Sequence, residues 1–242
     1  KINFIFNPNT FINNFMEWNN KFNYPKSSRS IISGSRHYSL DGSNLPSVTT
    51  ILKATQSEED KAAIAAWKER VGHTEAERIK NEAASRGNSM HSYIEQFLLG
   101  KMNLDLIEED NQSKKMAVEI IDNGLKNKLS EIWGAEAIVY YPEKYAGTAD
   151  CIGIYEGKNS LLDFKQSNKP KKEEYIEDYF LQLGAYSLAH NTVYNSNITQ
   201  GIILVCTADR LFQDFKIEGN ELINFQNKFL ERVEQFYHQL NK

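Results

Sequence analysis

Two aspartates and a lysine in adjacent predicted strands constrain the fold of this chain most. Asp150 ends the string Gly-Thr-Ala-Asp, whereas Asp163 and Lys165 lie in Leu-Leu-Asp-Phe-Lys. Between them, a strand, a tight turn with Gly and Asn, and a returning strand bring the two aspartates level in an antiparallel pair. Side chains alternate between strand faces, so Asp163 and Lys165 point one way and Phe164 the other. The sequence therefore predicts a charged cluster on a sheet built mostly from apolar residues.

The charged cluster has two interpretations. Asp-x-Lys is a common tripeptide, and an exposed hairpin with an ion pair between Asp163 and Lys165 would explain it. The apolar neighbours of Asp163 instead favour a central buried strand, where such a cluster is costly unless it binds a metal and acts on a phosphate. Carboxylates suit Mg²⁺, which lowers the pKa of a bound water. Lys165 would then orient the attacking water or stabilise the charge on the phosphorus centre.

Six short strings occur along the chain in a fixed order. They are Leu-Pro-Ser-Val-Thr-Thr-Ile-Leu (45–52), Trp-Lys-Glu-Arg-Val-Gly (67–72), Arg-Gly-Asn-Ser-Met-His (86–91), Gly-Thr-Ala-Asp (147–150), Asp-Phe-Lys-Gln-Ser (163–167) and Leu-Gln-Leu-Gly-Ala-Tyr (181–186). Together they resemble the PD-(D/E)XK nuclease superfamily, in its RecB-like and Cas4-like branch. From Leu45 to about Gln239 the chain is similar to the mitochondrial genome maintenance exonuclease and its phage relatives. The first 44 residues carry little of this resemblance.

The resemblance implies a metal-binding catalytic site. Its metal ligands would be His91, Asp150, Asp163 and the backbone carbonyl of Phe164, with Lys165 positioning water and with Gln182 and Tyr186 as further catalytic residues. Imidazole suits Mn²⁺ better than Mg²⁺, so either ion is expected as the cofactor. Glu95 and Glu136 are candidates for partners that hold or orient the metal ligands.

Several of these residues also have purely structural interpretations. A lone histidine on a helix, such as His91, is often a hydrogen-bond partner rather than a ligand. Gln182 and Tyr186 are spaced i, i+4 and share a helix face. They could bind a phosphate or fix a catalytic side chain, but Tyr186 could equally cover a sheet edge while its neighbours pack on the sheet. Glu136 is interpreted equally well as a salt-bridge residue.

The fold class implied by the resemblance is α/β. A restriction-endonuclease-like core is expected, in which helices flank a mixed central sheet in the order α-β-β-β-α-β, with a helical N-terminal addition. The predicted domains are an N-terminal extension with a hairpin (1–44) and the nuclease domain (45–242), divided into a helical part (45–131) and the catalytic sheet with its flanking helices (132–242). Periodicity and capping signals predict helices at 10–18, 47–54, 57–70, 74–99, 112–131, 172–190 and from 220 onward. They predict strands at 29–32, 36–40, 132–141, 146–155, 160–166, 201–208 and 211–217.

Composition limits the partners and the compartment. Cys151 and Cys206 are the two cysteines of the chain, too few for the four-cysteine iron–sulfur cluster of many Cas4-like proteins. No run approaches the ~18 apolar residues of a membrane span, and no targeting segment is seen. A cytoplasmic location, in a bacterium or a phage-infected cell, is therefore expected.

The net charge of −4 requires that any nucleic acid bind at a local basic patch. Candidates for this patch are Arg86, Lys169, Lys171 and Lys172, each of which is otherwise an ordinary solvated charge.

These observations predict a metal-dependent exonuclease that hydrolyses DNA phosphodiester bonds and prefers single-stranded DNA with a free end. A structure-specific or flap endonuclease on the same core is one alternative. A catalytically silent DNA-binding subunit is another, although a silent copy has no reason to keep a costly acidic cluster. The sequence does not define protein partners.

Overall fold

The computed structural model describes residues 16–40, 42–101 and 111–241. Its strands are β1 Glu17–Trp18, β2 Ser28–Ile32, β3 Ser35–Leu40, β4 Ser43–Pro46, β5 Leu129–Tyr141, β6 Tyr145–Tyr155, β7 Lys158–Ser167, β8 Gln200–Thr207 and β9 Phe212–Glu218. Its α-helices are α1 Val48–Ala54, α2 Glu58–Val71, α3 His73–Leu98, α4 Gln112–Ile120, α5 Glu177–Tyr194 and α6 Asn220–Leu240.

A six-stranded mixed sheet organises the molecule in the order β1-β5-β6-β7-β8-β9. Strands β5, β6 and β7 form an antiparallel meander, whereas β7 and β8 are parallel. Parallel neighbours need a crossover connection, which α5 provides. The predicted α/β class and its α-β-β-β-α-β order are confirmed. Strand β7 lies between β6 and β8, so it is central, as its apolar residues indicated.

Helices cover both faces of this sheet. On one face, Leu161 of β7 packs in a core with residues of α1, α5 and α6. On the other, Leu162 and Phe164 pack with Met90 and Ile94 of α3 and with residues of α4. Because successive residues of β7 enter opposite cores, each face of the strand is buried. This layering places Asp163 of β7 in the interior and leaves Lys165 half-buried.

A second, three-stranded sheet of β2, β3 and β4 packs on the first. Its hairpin turns at Ser33 and Gly34, both with positive φ, which is the geometry that matches the twist of paired strands. The predicted hairpin is confirmed, but β4 was not predicted. The boundary between residues 44 and 45 falls inside β4, and that between 131 and 132 falls inside β5. The division into domains stays a prediction.

Helix α2 and the first turns of α3 form a helical hairpin, whereas the later turns of α3 pack on the sheet. Ser57 caps α2 as predicted, and α2 buries none of its residues. It runs beside the first turns of α3, where Lys68 pairs with Glu77 at 3.9 Å. The predicted start of α3 was wrong in detail: its N-cap is Gly72, which has a φ of 88°, and not Thr74. We call residues 57–84 the helical arm.

Three predicted helices differ from the structure. Helix α4 ends at Ile120, and after a π-helical turn and the left-handed Asn127, strand β5 begins at Leu129, so the predicted helix at 112–131 was too long. The helix predicted from 172 begins at Glu177, after a 3₁₀ turn. Most of the helix predicted at 10–18 lies outside the described residues, but its last two residues form β1, which pairs with β5. Among the described helices, none is long and apolar enough to cross a membrane.

Candidate active site

The β6–β7 hairpin positions the two aspartates. Glu156 and Gly157 form its two-residue turn, with φ values of 49° and 79° that suit a tight hairpin. The pairing runs from this turn to Cys151 opposite Leu162, and Asp150 and Asp163 are the next residues along the two strands. The predicted level arrangement of the two aspartates is therefore confirmed.

The site begins where pairing between β6 and β7 stops. Beyond Cys151 and Leu162 the ladder ends, whereas β7 continues to pair with β8 as far as Ser167. The backbone N–H of Phe164 donates instead to Oδ2 of Asp150, at 2.7 Å. A buried backbone donor needs a partner, so this hydrogen bond both satisfies Phe164 and fixes the Asp150 carboxylate.

His91 and Glu136 converge on Asp150 from two other elements. Met90 and Ile94 anchor α3 in the core, and His91 between them reaches toward the strands. Nδ1 of His91 lies 3.5 Å from Asp150 Oδ1 and 3.7 Å from Glu136 Oε1. One ligand atom from each of these three residues lies within 4.8 Å of the others, a grouping that could hold a metal ion.

Glu136 adopts an unusual backbone conformation. It lies within β5, between residues that pair with Cys151 and Ala149, which places it opposite Asp150. Its φ is 49°, a left-handed value that glutamate rarely adopts and that costs on the order of 1–3 kcal/mol. Such outliers persist where the surrounding structure enforces them, and they concentrate at functional sites. Here the outlier coincides with the Glu136 carboxylate meeting His91.

Asp163 is a buried carboxylate whose one polar partner among the described residues is Lys165. It is 1% exposed, so the interpretation as an exposed surface ion pair is wrong. Nζ of Lys165 pairs with its Oδ2 at 2.6 Å, and neither oxygen accepts a hydrogen bond from any other of the described residues. Buried carboxylates are costly without such partners. A cation bound beside Asp163 would remove that cost.

A hydrogen-bond chain links α5 to the lysine. Nζ of Lys165 donates to Oε1 of Gln182 at 3.2 Å, and Nε2 of Gln182 donates to the Tyr186 hydroxyl at 3.1 Å. The Tyr186 ring lies directly on Gly147, where a Cβ would come within 2.8 Å of the hydroxyl. The structure thus brings Gln182 and Tyr186 to the charged cluster, where they hold the lysine in place.

Crowding of charges shifts the pKa values at this site. Burial raises the pKa of Asp150 to about 7, an effect that His91 opposes and Asp163 reinforces. Burial alone would lower the pKa of His91, but Asp150 and Glu136 raise it to about 9. Burial would also lower the pKa of Lys165, yet Asp163 and Asp150 raise it. Each shift indicates that several carboxylates lie close together where water solvates them poorly. A bound divalent cation would stabilise their charged forms.

An open cavity of about 550 Å³ gives access to the cluster. Its lining includes most of the predicted site: His91, Glu95, Glu136, Asp150, Phe164, Lys165, Gln182 and Tyr186. Arg29 and Arg36 of the small sheet also line it, and sequence analysis did not single them out. The sequence feature that could have indicated these two arginines is their position in a predicted hairpin upstream of the recognised motifs.

The predicted basic residues lie near the end of β7. Nε of Arg86 donates to Gln166 Oε1 at 2.9 Å, and the same side chain contacts Asn168, so it ties α3 to β7. Lys169, Lys171 and Lys172 follow β7 in the chain, and Lys172 pairs with Glu174 at 3.8 Å. Binding of DNA by these four residues stays a prediction.

The residues present fit a divalent cation. His91, Glu136 and Asp150 offer one imidazole nitrogen and two carboxylates, and the buried oxygens of Asp163, paired with Lys165 alone among the described residues, lie beside them. Hard divalent cations take such oxygen ligands, and imidazole extends the set to Mn²⁺. Glu136, predicted only as an outer partner, is thus placed among the candidate ligands. The carbonyl of Phe164 stays a predicted ligand.

Comparisons with known proteins support the resemblance to PD-(D/E)XK nucleases that the sequence motifs indicated. The chain is similar to "Mitochondrial genome maintenance exonuclease 1" of Xenopus tropicalis, with 28% identity over 215 residues, 83% of this chain and 59% of that protein. The human protein of the same name is 28% identical over 203 residues, 79% of this chain and 58% of that protein. The chain therefore spans less than two thirds of these relatives. No family model matches it.

Solved structures show looser likenesses. A putative exonuclease from Eubacterium rectale is 13% identical, with a TM-score of 0.41 over 64% of this chain and 68% of that chain. An alkaline exonuclease from Laribacter hongkongensis is 14% identical, with a TM-score of 0.29 over 64% of this chain and 84% of that chain.

Proposed function

We propose that this protein is a metal-dependent exonuclease that hydrolyses the phosphodiester bonds of DNA and prefers a single strand with a free end. One observation carries the proposal: Asp163, buried and paired with Lys165 alone among the described residues, lies beside the group formed by His91, Glu136 and Asp150. The similarity to proteins named exonucleases supports the same chemistry.

The roles of the residues follow from their positions. Asp150, Asp163, His91 and Glu136 would hold Mg²⁺ or Mn²⁺, which supplies Lewis-acid stabilisation of the phosphate and acidifies water. The Lys165 ammonium orients the attacking water and stabilises negative charge on the phosphate oxygens. Gln182 fixes Lys165 by accepting its hydrogen bond, and Tyr186 fixes Gln182 in turn. Arg86, Lys169, Lys171 and Lys172 would contribute to a basic path for DNA.

The preference for single strands with free ends is supported by the helical arm. Helix α2 has no buried residues, so packing on the sheets does not explain its presence. The arm leads directly into the part of α3 that lines the cavity, including Gly87 and His91. A strand passing between the arm and the sheets would enter by its end, and a duplex, with a persistence length of about 50 nm, is too stiff to thread. Backbone contacts rather than base readout would then hold the strand.

The test is a cleavage assay with end-labelled DNA in Mg²⁺ or Mn²⁺. Linear single strands, closed circular single strands and blunt duplex are incubated separately, and the products are resolved by length. We expect linear single strands to be degraded, circles to survive and duplex to be cut slowly. The same reactions with excess chelator are expected to show no cleavage.

The alternatives give different results in this assay. Efficient nicking of the closed circle would replace the exonuclease by a structure-specific or flap endonuclease and would keep the metal site. Binding of DNA without cleavage in either metal would indicate a silent DNA-binding subunit. Full activity in excess chelator would disprove the metal mechanism.

A further inference from the structure

We propose that the β2–β3 hairpin forms the second wall of the DNA site and that Arg36 binds a backbone phosphate of the strand there, with Arg29 beside it. This inference rests on the proposed function. It adds a substrate-binding surface from a part of the chain that carries little of the nuclease motifs. The argument concerns how the hairpin is attached, which way its side chains point, and which charges are already paired.

The hairpin is attached firmly to the strand that carries Asp150. Tyr38 of β3 is 2% exposed, and its hydroxyl lies 3.1 Å from the Thr148 hydroxyl of β6. Leu40 and Leu45 pack with Tyr38 against Ala146 of the same strand. Thr148 is two positions before Asp150, so the place of the hairpin relative to the charged cluster is fixed by packing.

Arg29 and Arg36 share a face with Tyr38. Residues directly paired in an antiparallel sheet point to the same face, as do alternate residues of one strand. Arg29 pairs with Tyr38, and Arg36 precedes Tyr38 by two positions. The buried Tyr38 therefore marks the side that faces the body of the protein, and both arginines extend from it into the cavity that contains His91 and Lys165.

The cations that line the cavity differ in how they are paired. Lys165 pairs with Asp163, and Arg29 donates to Thr148 Oγ1 at 2.8 Å and lies 4.0 Å from Glu136. The Arg36 side chain is exposed and forms no hydrogen bond or ion pair with the described part of the chain. Its backbone carbonyl, in contrast, accepts from Ser47 N at 2.9 Å and from Thr50 Oγ1 at 3.1 Å. Arg36 thus presents an unpaired guanidinium on a fixed backbone, and guanidinium matches phosphate in charge and geometry.

The opposite wall of the cavity leaves room for a strand. It is the face of α3 that carries Ala83, Ala84, Gly87 and Asn88. These side chains are short, and Gly87 lies so close to β7 that an added Cβ would be 3.3 Å from the Gln166 side chain. A flexible strand between this face and the hairpin would have its backbone within reach of Arg36 while one phosphate lies at Lys165.

The experiment compares Arg36→Ala with wild type in binding a fluorescent single-stranded oligonucleotide, in Ca²⁺ and over a range of salt concentrations. Loss of one phosphate contact is expected to weaken binding about fivefold at low salt and to reduce the slope of log K against log salt by about 0.7. Arg36→Lys is expected to restore most of both. The matched control is Lys158→Ala, which removes an exposed cation at the turn end of β7, outside the cavity lining, and should bind as wild type does.

A second measurement locates the contact. Single methylphosphonate substitutions along the oligonucleotide each remove one phosphate charge. One position is expected to weaken binding by wild type and to have little further effect on Arg36→Ala, because the contact is already lost. Cleavage by Arg36→Ala should show a raised KM with a nearly unchanged kcat.

The outcomes separate this inference from the proposed function. If wild type cleaves DNA but Arg36→Ala keeps wild-type affinity, salt slope and methylphosphonate pattern, the hairpin is not part of the DNA site and the nuclease assignment stands. If wild type neither binds nor cleaves single-stranded DNA, the proposed function is wrong and this inference falls with it.

Discussion

Two buried polar groups in this protein differ in how many hydrogen-bond partners they have. His190 on α5 is 0% exposed, and both its ring nitrogens have partners, the Tyr24 hydroxyl at 2.9 Å and the Ser196 hydroxyl at 2.6 Å. The rings of Phe22 and Tyr194 pack around it. Asp163 on β7 is equally buried, yet the ammonium of Lys165 is the one polar partner of its carboxylate among the described residues.

This difference distinguishes a structural network from the proposed functional one. A fully satisfied polar cluster strengthens the fold, because every buried donor and acceptor recovers what it loses on leaving water. An unsatisfied carboxylate lowers stability and persists only when the rest of the fold holds it in place. The His190 cluster should therefore affect stability and not activity, and the Asp163 cluster should do the reverse.

The largest expected effect is the loss of cleavage in Asp150→Asn. The asparagine keeps the shape and can still accept the hydrogen bond from Phe164 N, but it lacks the charge that binds the cation. We expect activity to fall by more than about 10³-fold. Measured in chelator, the free energy of unfolding should stay the same or rise by about 1 kcal/mol, since the raised pKa of Asp150 shows that its charged form opposes folding. A marked loss of stability with retained cleavage would show that the cluster of Asp150 and Asp163 is structural and not functional.

The next effect is on the chemical step in Lys165→Ala. In the proposed mechanism its ammonium stabilises charge that develops in the transition state, so kcat should fall by about 10²–10³-fold. Affinity for DNA in Ca²⁺ should change little, because ground-state binding depends on other contacts. Single-turnover cleavage and fluorescence anisotropy measure the two quantities. Equal losses of rate and affinity would make Lys165 an ordinary phosphate contact.

The third effect is on stability in His190→Ala. This change creates a cavity and leaves Tyr24 and Ser196 without their imidazole partner, so the free energy of unfolding should fall by about 2–4 kcal/mol. Denaturant unfolding measures this loss, and cleavage per folded molecule should match wild type. Tyr24→Phe, which removes one hydrogen bond, should cost about 1 kcal/mol. Loss of cleavage in well-folded His190→Ala would place His190 in the functional network.

The smallest expected effect is a dependence of stability on acid. Burial lowers the pKa of His190 from its usual 6.5 to about 4, and Lys21 contributes to this. Because the folded pKa lies below the unfolded one, His190 contributes fully above the unfolded pKa. This contribution is lost as the pH falls from there to the folded pKa, and it amounts to at most about 3 kcal/mol. The stability difference between wild type and His190→Asn should therefore shrink over this range, and a constant difference would exclude the shift.

Local signals in the sequence predicted many of the elements correctly. Ser47 and Ser57 were predicted to cap helices and do so, and the turns at Ser33-Gly34 and Glu156-Gly157 close the predicted hairpins. Such features depend on a few neighbouring residues, so they can be recognised without the rest of the chain. The helix predicted at 112–131 failed because its later residues pair with a distant strand, β6, which no local pattern reports.

The candidate site was predictable only in part, for the same reason. The alternation of a strand fixes Asp163 and Lys165 on one face, and hairpin pairing sets Asp150 beside them. Glu136 joins His91 because β5 takes a left-handed residue opposite Asp150, a conformation that glutamate itself does not indicate. The nearest local signal is Gly134, two residues earlier and at a register shift of β5. Arg36 enters the cavity because a separate sheet packs on β6.

The sequence by itself determined the central strand, the acidic pair with its lysine, and the face of α5 that carries Gln182 and Tyr186. These depend on periodicity and pairing, which side-chain order along the chain encodes directly. Only the tertiary structure decided that buried Asp163 has no polar partner but Lys165 among the described residues, that Gln182 fixes Lys165, and that the small sheet and α3 enclose one cavity. Burial and hydrogen-bond satisfaction depend on how separate layers pack, and that packing joins residues far apart in the chain.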